Sequence, residues 1–580
     1  MKVMKYLAVL AIALFAFASS SNAQTVQFLG GGSSALFLEL GQAAVNLEGG
    51  VNACVWTAGA LATNDVSAKD TRPTVADIQN GKVWVVWDKG TGVDCLHPAG
   101  NFNVYSYLSV DSVIGDRCYF ATDAGGSGCI ATYTPTQAEG NAAGNQLGAG
   151  FLDTASGACA GLNTPCIIPT TVTSVLNNKR WFAAGTDIRP EDAKFATFRA
   201  LQPCTNTIFR APFGGGLTTM NGLGYNVNGV QAGVGEPIQS FYSAPVFTVL
   251  DFNITGNDPF GAFAVPGYSV NTVGAQPIIV VAAPAGGTGL GAATDINTFT
   301  LTLFYNGVLG RATDLLGPTV NPGLLTVLVR EPLSGTYNTF EFSVPNTNQF
   351  HTSQELGNCN FGTGAEGSNP MNLQSGNGVV AGVRRRVLGT GEMRSTLQGA
   401  TAAENRLGYF FWSAGNAGGF TAANGKYLTV NGVDPIANSY SVTNGVLPTA
   451  AAGTLGQVTF ANLNAGDYPI WSALRIVSTN PAPAGVTNLI AAVQTLNSTQ
   501  NDFIPLNKLN VWHSHFALPQ VNVGAAANGT TINAAGDLCA SAGALAELGG
   551  DAGGANVMKT ANHDFCADFS NVTGLINASN

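Results

Sequence analysis

The sequence predicts an α/β fold, because short strand-like runs alternate along the chain with helix-like segments. The chain has 580 residues, which is enough to bury at least one large core. The strand-like runs are apolar or alternate apolar with polar residues, and they are residues 83–87, 247–252, 277–282, 324–330, 407–412 and 470–478. The helix-compatible segments between them are residues 35–47, 295–306, 378–388 and 486–496.

The first segment of the chain predicts a secretory signal peptide, residues 1–23. Lys2 and Lys5 precede an apolar run over residues 7–18, and Ser21-Asn22-Ala23 then offers small residues for cleavage near Ala23. The apolar run is too short to span a membrane, and no later uninterrupted apolar stretch reaches spanning length. A soluble periplasmic or extracellular protein is therefore expected. A lipid anchor is not, because the first cysteine is Cys54.

The cysteines point to the same compartment. There are ten, all after the signal segment, and an even number is typical of disulfides formed under oxidising conditions. None has paired metal-ligand spacing, so neither a metal nor another cofactor is expected. Proximity favours Cys159 with Cys166 and Cys539 with Cys566, although the sequence leaves the connectivity open.

Composition excludes nucleic acid as a partner. Charged residues make up 10% of the chain and the net charge is -10, so no basic stripe is available to release counterions. Arg384-Arg385-Arg386 is the only basic cluster, and it is predicted to be a solvated helix face.

The most informative motif is an arginine at the end of a strand followed by Ser-Gly-Thr. The strand at residues 324–330 ends in Arg330, and Ser334-Gly335-Thr336 follows after three residues. Arginine supplies a forked, permanently charged donor, and a helix beginning at the serine would add its free N–H groups and dipole. This combination suits an oxyanion. The alternative interpretation is an ordinary capped helix start.

Two further segments support the oxyanion interpretation. Gly30-Gly31-Gly32-Ser33-Ser34 follows a short strand at residues 26–29 and opens the helix-compatible segment 35–47. Ala184-Gly185-Thr186-Asp187 precedes Ile188-Arg189-Pro190-Glu191-Asp192, which looks like a helix entry. Serine and aspartate in such places could equally be helix caps or turn residues.

Taken in order, these segments resemble the phosphate-binding proteins of bacterial ABC importers and their extracellular relatives with an N-terminal Gly-Gly-Gly. In that family a Gly-rich strand end, a Gly-Ala-Ser-Asp-like turn and an Arg-x-x-x-Ser-Gly-Thr turn converge on one phosphate. The resemblance runs in patches from about Thr25 to about Val511. Further matching segments are Leu303-Phe304-Tyr305-Asn306-Gly307, Arg406-Leu407-Gly408-Tyr409 and Asp467-Tyr468-Pro469-Ile470.

The resemblance implies a set of ligand-binding residues and a non-enzymatic role. Ser34 stands at the position of a ligand-binding threonine, with Ser33 beside it, and a serine at a helix start corresponds to Ser109 or Ser112. The remaining implied ligands are Asp187, Arg330, Ser334, Gly335 and Thr336. The family usually has an aspartate two residues after the arginine, which orients it. This chain has Pro332 there, next to Glu331, and the sequence leaves open what orients Arg330.

Asp187 carries the expectation about selectivity. An ionised carboxylate accepts hydrogen bonds but cannot donate, so it tolerates phosphate, which still carries a hydrogen, and repels sulfate, which does not.

The resemblance also implies a two-lobed type II periplasmic-binding-protein-like fold with a hinge crossed near residues 280–284 and 466–469. Lobe 1 is expected at residues 24–280, lobe 2 at 281–465, and residues 466–580 return to lobe 1 and end in a Gly- and Ala-rich extension. Insertions at about 121–174 and 519–556 carry cysteines, so disulfide-stapled loops are expected there.

The expected function is binding of inorganic phosphate or a related oxyanion in the cleft between lobes, for uptake or scavenging. Hydrolysis is a minor alternative, because the five histidines form no triad or metal motif and no Gly-x-Ser-x-Gly occurs. The stronger alternative is an extracellular structural, adhesin or filament protein that kept this fold. Whether an ABC permease docks, or the chain assembles with itself or with surface partners, stays open. Long insertions would obstruct permease docking.

Overall fold

The α/β class is confirmed in the computed structural model, where helices cover a thirteen-stranded mixed sheet. The structure describes residues 24–49, 53–58, 82–120, 168–181, 183–188, 268–284, 289–306, 309–317, 324–330, 334–344, 368–370, 382–387, 389–401, 404–479, 481–497, 502–513 and 556–558. The signal segment 1–23, the strand predicted at 247–252 and both favoured cysteine pairs lie outside these residues. The insertion predicted at 519–556 lies outside them except for its last residue.

The strands are β1 (Thr25–Ser33), β2 (Cys54–Ala58), β3 (Lys82–Trp87), β4 (Asn103–Val110), β5 (Ala183–Thr186), β6 (Tyr268–Ala283), β7 (Asp295–Ile296), β8 (Leu324–Arg330), β9 (Ser368–Pro370), β10 (Gly382–Val387), β11 (Glu404–Phe411), β12 (Lys426–Tyr427), β13 (Thr429–Val430), β14 (Trp471–Thr479), β15 (Ile504–Pro505), β16 (Val511–His513) and β17 (Asn556–Met558). The helices are α1 (Phe37–Leu47), α2 (Ser112–Phe120), α3 (Thr170–Leu176), α4 (Thr298–Asn306), α5 (Thr313–Leu316), α6 (Gly335–Ser343), α7 (Gly389–Gln398), α8 (Ala414–Ala417), α9 (Tyr440–Thr443), α10 (Ala461–Ala465) and α11 (Ala484–Gln494).

The large sheet has the strand order β2-β3-β4-β1-β5-β14-β6-β11-β8-β10-β9. We call the strands from β2 to β14 the first half and those from β11 to β9 the second half. Strand β6 joins them. Its residues Tyr268 to Pro277 pair with β14, and Ile278 to Ala283 pair with β11. One long strand therefore belongs to both halves.

The return segment lies beside β6 at the change of partner. The Tyr468 hydroxyl donates to the Ile278 carbonyl at 2.6 Å. The Ile278 N–H in turn donates to the Ile470 carbonyl at 2.8 Å. The two chain crossings between the halves are thus hydrogen-bonded to each other, which fixes their relative position.

The glycines after residue 29 continue a strand, where the sequence predicted that the strand stops before them. Strand β1 runs through Gly30, Gly31 and Gly32 to Ser33, and pairs in parallel with β4 on one side and β5 on the other. A Cβ on Gly30 would overlap the Ala183 carbonyl of β5. The glycines are therefore required by close strand packing rather than by a turn.

The helix predicted at residues 378–388 is wrong for residues 382–387, the part that the structure describes, and so is the helix face predicted for Arg384-Arg385-Arg386. These residues form β10, which pairs in parallel with β8 and antiparallel with β9. Pairing along two strands outweighs the helix-compatible composition of this segment, because backbone hydrogen bonds are satisfied on both of its sides.

The other helices predicted within the described residues are found, with small shifts at their ends. Helices α1, α4 and α11 cover most of residues 35–47, 295–306 and 486–496. Helix α3 begins inside the segment 121–174, where a stapled loop was predicted, while residues 121–167 lie outside the described part. The lobe boundaries at 24–280, 281–465 and 466–580 stay predictions.

The interior is one hydrophobic cluster with residues from both halves, such as Leu36 and Trp84 in the first and Phe340 and Tyr409 in the second. A disulfide joins Cys54 of β2 to Cys95 in the loop after β3, a pair that the sequence did not single out. Across the described residues, no helix has both the length and the apolar character needed to cross a bilayer.

Candidate functional site

Three neighbouring parallel strands end at the same edge of the first half. Ser33, at the end of β1, is opposite Val110, the last residue of β4, and Gly32 is opposite Gly185 in β5. The residues that follow these strands therefore come close to one another, as is usual at the carboxyl edge of a parallel sheet.

Asp187, which follows β5, is held by hydrogen bonds to both its side chain and its main-chain carbonyl. Its side chain is buried, and its Oδ1 accepts a hydrogen bond from the Ser112 hydroxyl at the start of α2. Its main-chain carbonyl accepts hydrogen bonds from the Ser472 hydroxyl and, at 3.2 Å, from Arg475 Nη1. These contacts fix the carboxylate at the point where the two halves meet.

The start of α6 lies directly against this carboxylate. A Cβ added to Gly335 would overlap the Asp187 carboxyl group and the Ser112 hydroxyl. Ser334 is the N-cap of α6 and accepts a hydrogen bond from the Tyr337 N–H at 3.3 Å. Only glycine therefore allows a helix start from the second half to approach an acid from the first half so closely.

Arg330 ends β8 and is 2% exposed. Its Nη1 donates to the Thr390 hydroxyl in α7 at 3.0 Å, and its Nη2 forms an ion pair with Asp111 Oδ1 at 3.5 Å. Asp111 lies between β4 and α2 in the first half. The arginine is thus oriented by an acid from the opposite half of the sheet, and this answers the question raised by Pro332.

The charge state of Asp187 reflects its position. Burial raises the pKa of its carboxyl from the ordinary 3.8 to about 7, although its own backbone hydrogen bond, Arg330 and Arg475 all favour ionisation. Two guanidinium groups, one from each half, therefore act on this carboxyl, but they do not fully offset the loss of water.

A second acid lies just behind the site. Asp116, in α2, accepts a hydrogen bond from the Thr186 hydroxyl at 3.1 Å. Tyr107 of β4 donates to the Ser33 carbonyl at 2.6 Å, and burial together with Asp187, Glu39 and Asp116 raises the pKa of its hydroxyl. These groups support the strand ends and give the region a surplus of acids.

The structure brings some of the predicted ligand residues together. Asp187, Ser112 and Gly335 adjoin one another, and Ser334 precedes Gly335 as the N-cap of α6. Thr336 is buried in the first turn of α6, and Arg330 acts electrostatically on Asp187.

Within the described part of the chain, no contact with Asp187 is seen for the other predicted ligands, Ser33, Ser34 and Ser109. Ser33 is buried, and its hydroxyl accepts a hydrogen bond from the Ala35 N–H at 3.1 Å, as a helix cap does. Ser34 is exposed at the start of a short 3-10 helix. Ser109 lies inside β4 opposite Gly32, so of the two alternative serines it is Ser112 that reaches Asp187.

Sequence reasoning did not single out four residues of this region, Asp111, Thr390, Ser472 and Arg475. A signal existed for Arg475, because it is the one charged residue in the otherwise uncharged strand predicted at 470–478. Asp111 directly follows a strand, but its pairing with Arg330 spans 219 positions and leaves no local pattern.

No protein-family model and no curated protein sequence matches this chain. Among solved structures it is similar to a phosphate-binding protein from Stenotrophomonas maltophilia, with 13% identity over 73% of this chain and 88% of that one and a TM-score of 0.31. It is also similar to an ABC-type phosphate transport receptor from Vibrio cholerae, with 14% identity over 40% and 68% and a TM-score of 0.25.

A third similar structure is a putative phosphate ABC transporter substrate-binding protein with bound phosphate from Clostridium perfringens, with 16% identity over 41% of this chain and 72% of that one and a TM-score of 0.25. At TM-scores this low, the likeness does not bear on what this chain binds.

Proposed function

We propose that this protein binds a tetrahedral oxyanion, with inorganic phosphate as the first candidate, at the junction between the two halves of its sheet. The observation that carries the proposal is the convergence of Asp187 and Ser112 from the first half with Arg330 and Gly335 from the second. Binding involves no chemical step.

The donors of this region suit an anion. Arg330 is buried and supplies a planar fork of N–H groups that can bind two oxygens of one phosphate. The first N–H groups of α6 have no acceptor within the helix, and the helix dipole favours negative charge at this end. The carboxyl group of Asp187 lies directly against this helix start.

Asp187 supplies the selectivity that a simple anion site lacks. Phosphate carries a hydrogen near neutral pH and can donate it to a carboxylate, whereas sulfate cannot. A raised pKa near 7 lets the same carboxyl act as acceptor or donor around neutral pH. This acid beside the arginine therefore favours phosphate over a fully deprotonated anion of the same shape.

Secretion and uptake complete the proposal. The apolar segment before Gln24 supports export, and the disulfide between Cys54 and Cys95 suits an oxidising compartment. A protein of this kind would collect phosphate outside the cytoplasm and deliver it to an importer. A structural or adhesive role is the outcome if no oxyanion binds.

The proposal is tested by calorimetric titration of the mature protein with phosphate, arsenate and sulfate. We expect one binding event for phosphate, a similar one for arsenate because it has the same protonation and shape, and at least about tenfold weaker binding of sulfate. Absence of heat with all three anions, or equal affinity for phosphate and sulfate, would contradict it.

A further inference from the structure

Arg475 lies inside β14 and is completely buried. Its exposed fraction is 0%, and in the sheet it pairs with Thr186 of β5 on one side and with Thr272 of β6 on the other. It is not among the residues proposed above to bind phosphate. A guanidinium is costly to remove from water, so an arginine in the middle of a sheet requires an explanation.

The hydrogen bonds of the guanidinium connect it to Asp187. Its Nη1 donates to the Ala473 carbonyl of its own strand at 2.7 Å and to the Asp187 carbonyl at 3.2 Å. Asp187 directly follows Thr186, the last residue of β5 and the partner of Arg475 in the sheet. The arginine therefore lies beside the segment that carries the acid of the proposed site.

A neutral donor already holds the same carbonyl. The Ser472 hydroxyl, which is also in β14, donates to the Asp187 carbonyl. A backbone carbonyl does not require a charged donor, and a hydroxyl costs far less to bury than a guanidinium. Fixing the main chain of Asp187 is therefore not a sufficient reason for an arginine at position 475.

The positive charge of Arg475 acts on the carboxyl group of Asp187. Burial raises the pKa of Asp187 to about 7, and its own backbone hydrogen bond, Arg330 and Arg475 oppose this rise. Arg330 is also paired with Asp111 and is proposed to bind the anion itself. Arg475 instead acts on the carboxyl from within the sheet, through the strand that holds the Asp187 carbonyl.

Given the oxyanion site proposed above, on which this inference rests, we propose that Arg475 is a positioning residue that determines the preference for phosphate over sulfate. It acts through Asp187 and does not touch the anion. With Arg475 present, the carboxyl of Asp187 is ionised at pH 8 and repels sulfate, which has no hydrogen to donate. Without this positive charge, the carboxyl keeps its proton to a higher pH and can donate a hydrogen bond to sulfate.

Other polar groups near Asp187 can also affect a pH dependence. Several of them are acids that can exchange protons, so each variant is compared with the same variant carrying Asp187→Asn, and the difference isolates this one carboxyl. The charged, titratable and hydrogen-bonding groups near Asp187 on other elements are Arg330 of β8, Asp111 between β4 and α2, Ser112 and Asp116 of α2, Tyr107 of β4 and Glu39 of α1.

The first test measures the proton of Asp187 without any oxyanion. The free energy of unfolding of the mature protein is followed between about pH 5 and pH 9. Because folding raises the pKa of Asp187, its contribution to stability is fully present below the unfolded pKa and is lost as the pH rises through about 7. In Arg475→Gln, whose amide can still donate to the carbonyl, this loss is expected at a pH at least about one unit higher.

The second test measures selectivity. Competitive binding of phosphate and sulfate at pH 8 gives the ratio of the two affinities, in which a general weakening of anion binding by the lost charge largely cancels. This ratio is expected to be about tenfold smaller in Arg475→Gln than in the wild type. In the Asp187→Asn background, Arg475→Gln is expected to leave the ratio unchanged, because the residue through which it acts has no charge to control.

Two further variants separate charge from hydrogen bonding. Arg475→Lys keeps the positive charge and is expected to keep the wild-type pH of proton loss. Ser472→Ala removes the other hydrogen bond to the Asp187 carbonyl without changing any charge, and it is expected to leave that pH unchanged as well. Should Arg475→Gln not fold, Arg475→Met takes its place, because a long unbranched apolar side chain fills more of the same volume.

The role of Arg475 is disproved if Arg475→Gln leaves either the pH of proton loss or the affinity ratio unchanged. It is also disproved if Arg475→Lys shifts both as far as Arg475→Gln, or if Arg475→Gln still changes the ratio in the Asp187→Asn background. If the wild type binds no oxyanion, the proposed function fails and the role in selectivity fails with it. The anion-free titration then shows separately whether Arg475 controls the proton of Asp187.

Discussion

At Asp187, desolvation and two arginines act in opposite directions on one carboxyl. The net effect is that the pKa of Asp187 is raised to about 7, so its charge changes within a pH range in which binding can be measured in solution. The carboxyl therefore gains a proton as the pH falls through about 7 and loses it as the pH rises through about 7.

The charge of Asp187 predicts that selectivity depends on pH. Above about pH 7 the ionised carboxyl repels sulfate, and below it the protonated carboxyl can donate a hydrogen bond to sulfate. Sulfate affinity is expected to rise by about tenfold between pH 8 and pH 6, while phosphate affinity changes less. Competitive binding of the two anions at both pH values measures this.

Asp187→Asn provides the control, because an amide can donate at any pH. The variant is expected to show weak discrimination between the anions and little dependence on pH. A wild-type sulfate affinity that stays constant or falls as the pH is lowered would show that Asp187 does not contact the anion.

Removal of the buried Arg330 guanidinium is expected to cause a large loss of phosphate affinity. Arg330→Ala should weaken phosphate binding by about 2–5 kcal/mol, as expected when a buried anion loses its charged partner. Arg311→Ala is the matched control, since Arg311 is a partly exposed arginine of the same half. Titration calorimetry compares the two, and equal phosphate affinity in wild type and Arg330→Ala would remove the assignment.

Asp111 orients Arg330 across the two halves, so its removal should also weaken phosphate binding. Asp111→Ala is expected to cost about 1 kcal/mol, less than Arg330→Ala, because the Thr390 contact remains. In the Arg330→Ala background the same change should have no further effect. If the double variant binds phosphate as Arg330→Ala does, Asp111 acts through Arg330. If Asp111→Ala alone binds phosphate more tightly than the wild type, the Asp111 carboxylate competes with phosphate for Arg330.

At the scale of elements, the approach of α2 to β1 determines whether Ser112 can reach Asp187. Gly115 of α2 lies so close to β1 that a Cβ there would overlap Gly32 Cα and come within 2.6 Å of the Gly31 carbonyl oxygen. The glycines on both surfaces therefore allow the helix to pack directly on the strand.

This contact predicts opposite effects for two glycine substitutions within helices. Gly115→Ala should destabilise the fold by about 1–3 kcal/mol, because backbone atoms cannot move aside easily. Gly391→Ala in α7 has no atom within 4 Å of the new Cβ and should stabilise by up to about 1 kcal/mol through helix propensity. Chemical denaturation of both variants measures the difference, and a neutral Gly115→Ala would contradict the close packing.

Strands β8 and β10 show where structure can be predicted from the sequence and where it cannot. The strand at 324–330 was predicted with its observed ends, because an apolar run is bounded by a charge and by turn residues. The run 378–388 was assigned to a helix, yet residues 382–387 are a strand, since pairing with β8 decides its conformation and leaves no trace in its composition. The spacing of Ser334 and Gly335 after Arg330 could be read from the sequence. The contacts of Asp111 and Arg475 could not, because they arise only from folding.

At the scale of the whole molecule, β6 makes the two halves parts of one sheet. The Arg330–Asp111 pair and the contact of Gly335 with Asp187 cross between the halves near the proposed site. An oxyanion held by residues from both halves would add to these contacts, so its binding would stabilise the close approach of the two halves.

The cysteines give the last prediction. Ten cysteines follow the predicted signal segment, and the described residues contain the disulfide Cys54–Cys95, which closes a loop with a sequence separation of 41. Cross-linking a loop of this length stabilises a fold by up to about 4 kcal/mol by restricting the unfolded chain. The mature protein is expected to contain no reactive thiol, and reduction should lower its Tm.

Thiol titration in denaturant without reductant tests the first statement, and two or more reactive thiols per chain would contradict it. The double variant Cys54→Ala/Cys95→Ala separates this disulfide from the others. Both cysteines are buried, so the variant also loses some packing. It should have a lower Tm than the oxidised wild type, and reduction should lower its Tm by less than that of the wild type. An equal effect of reductant on both proteins would mean that disulfides elsewhere in the chain account for the whole stabilisation.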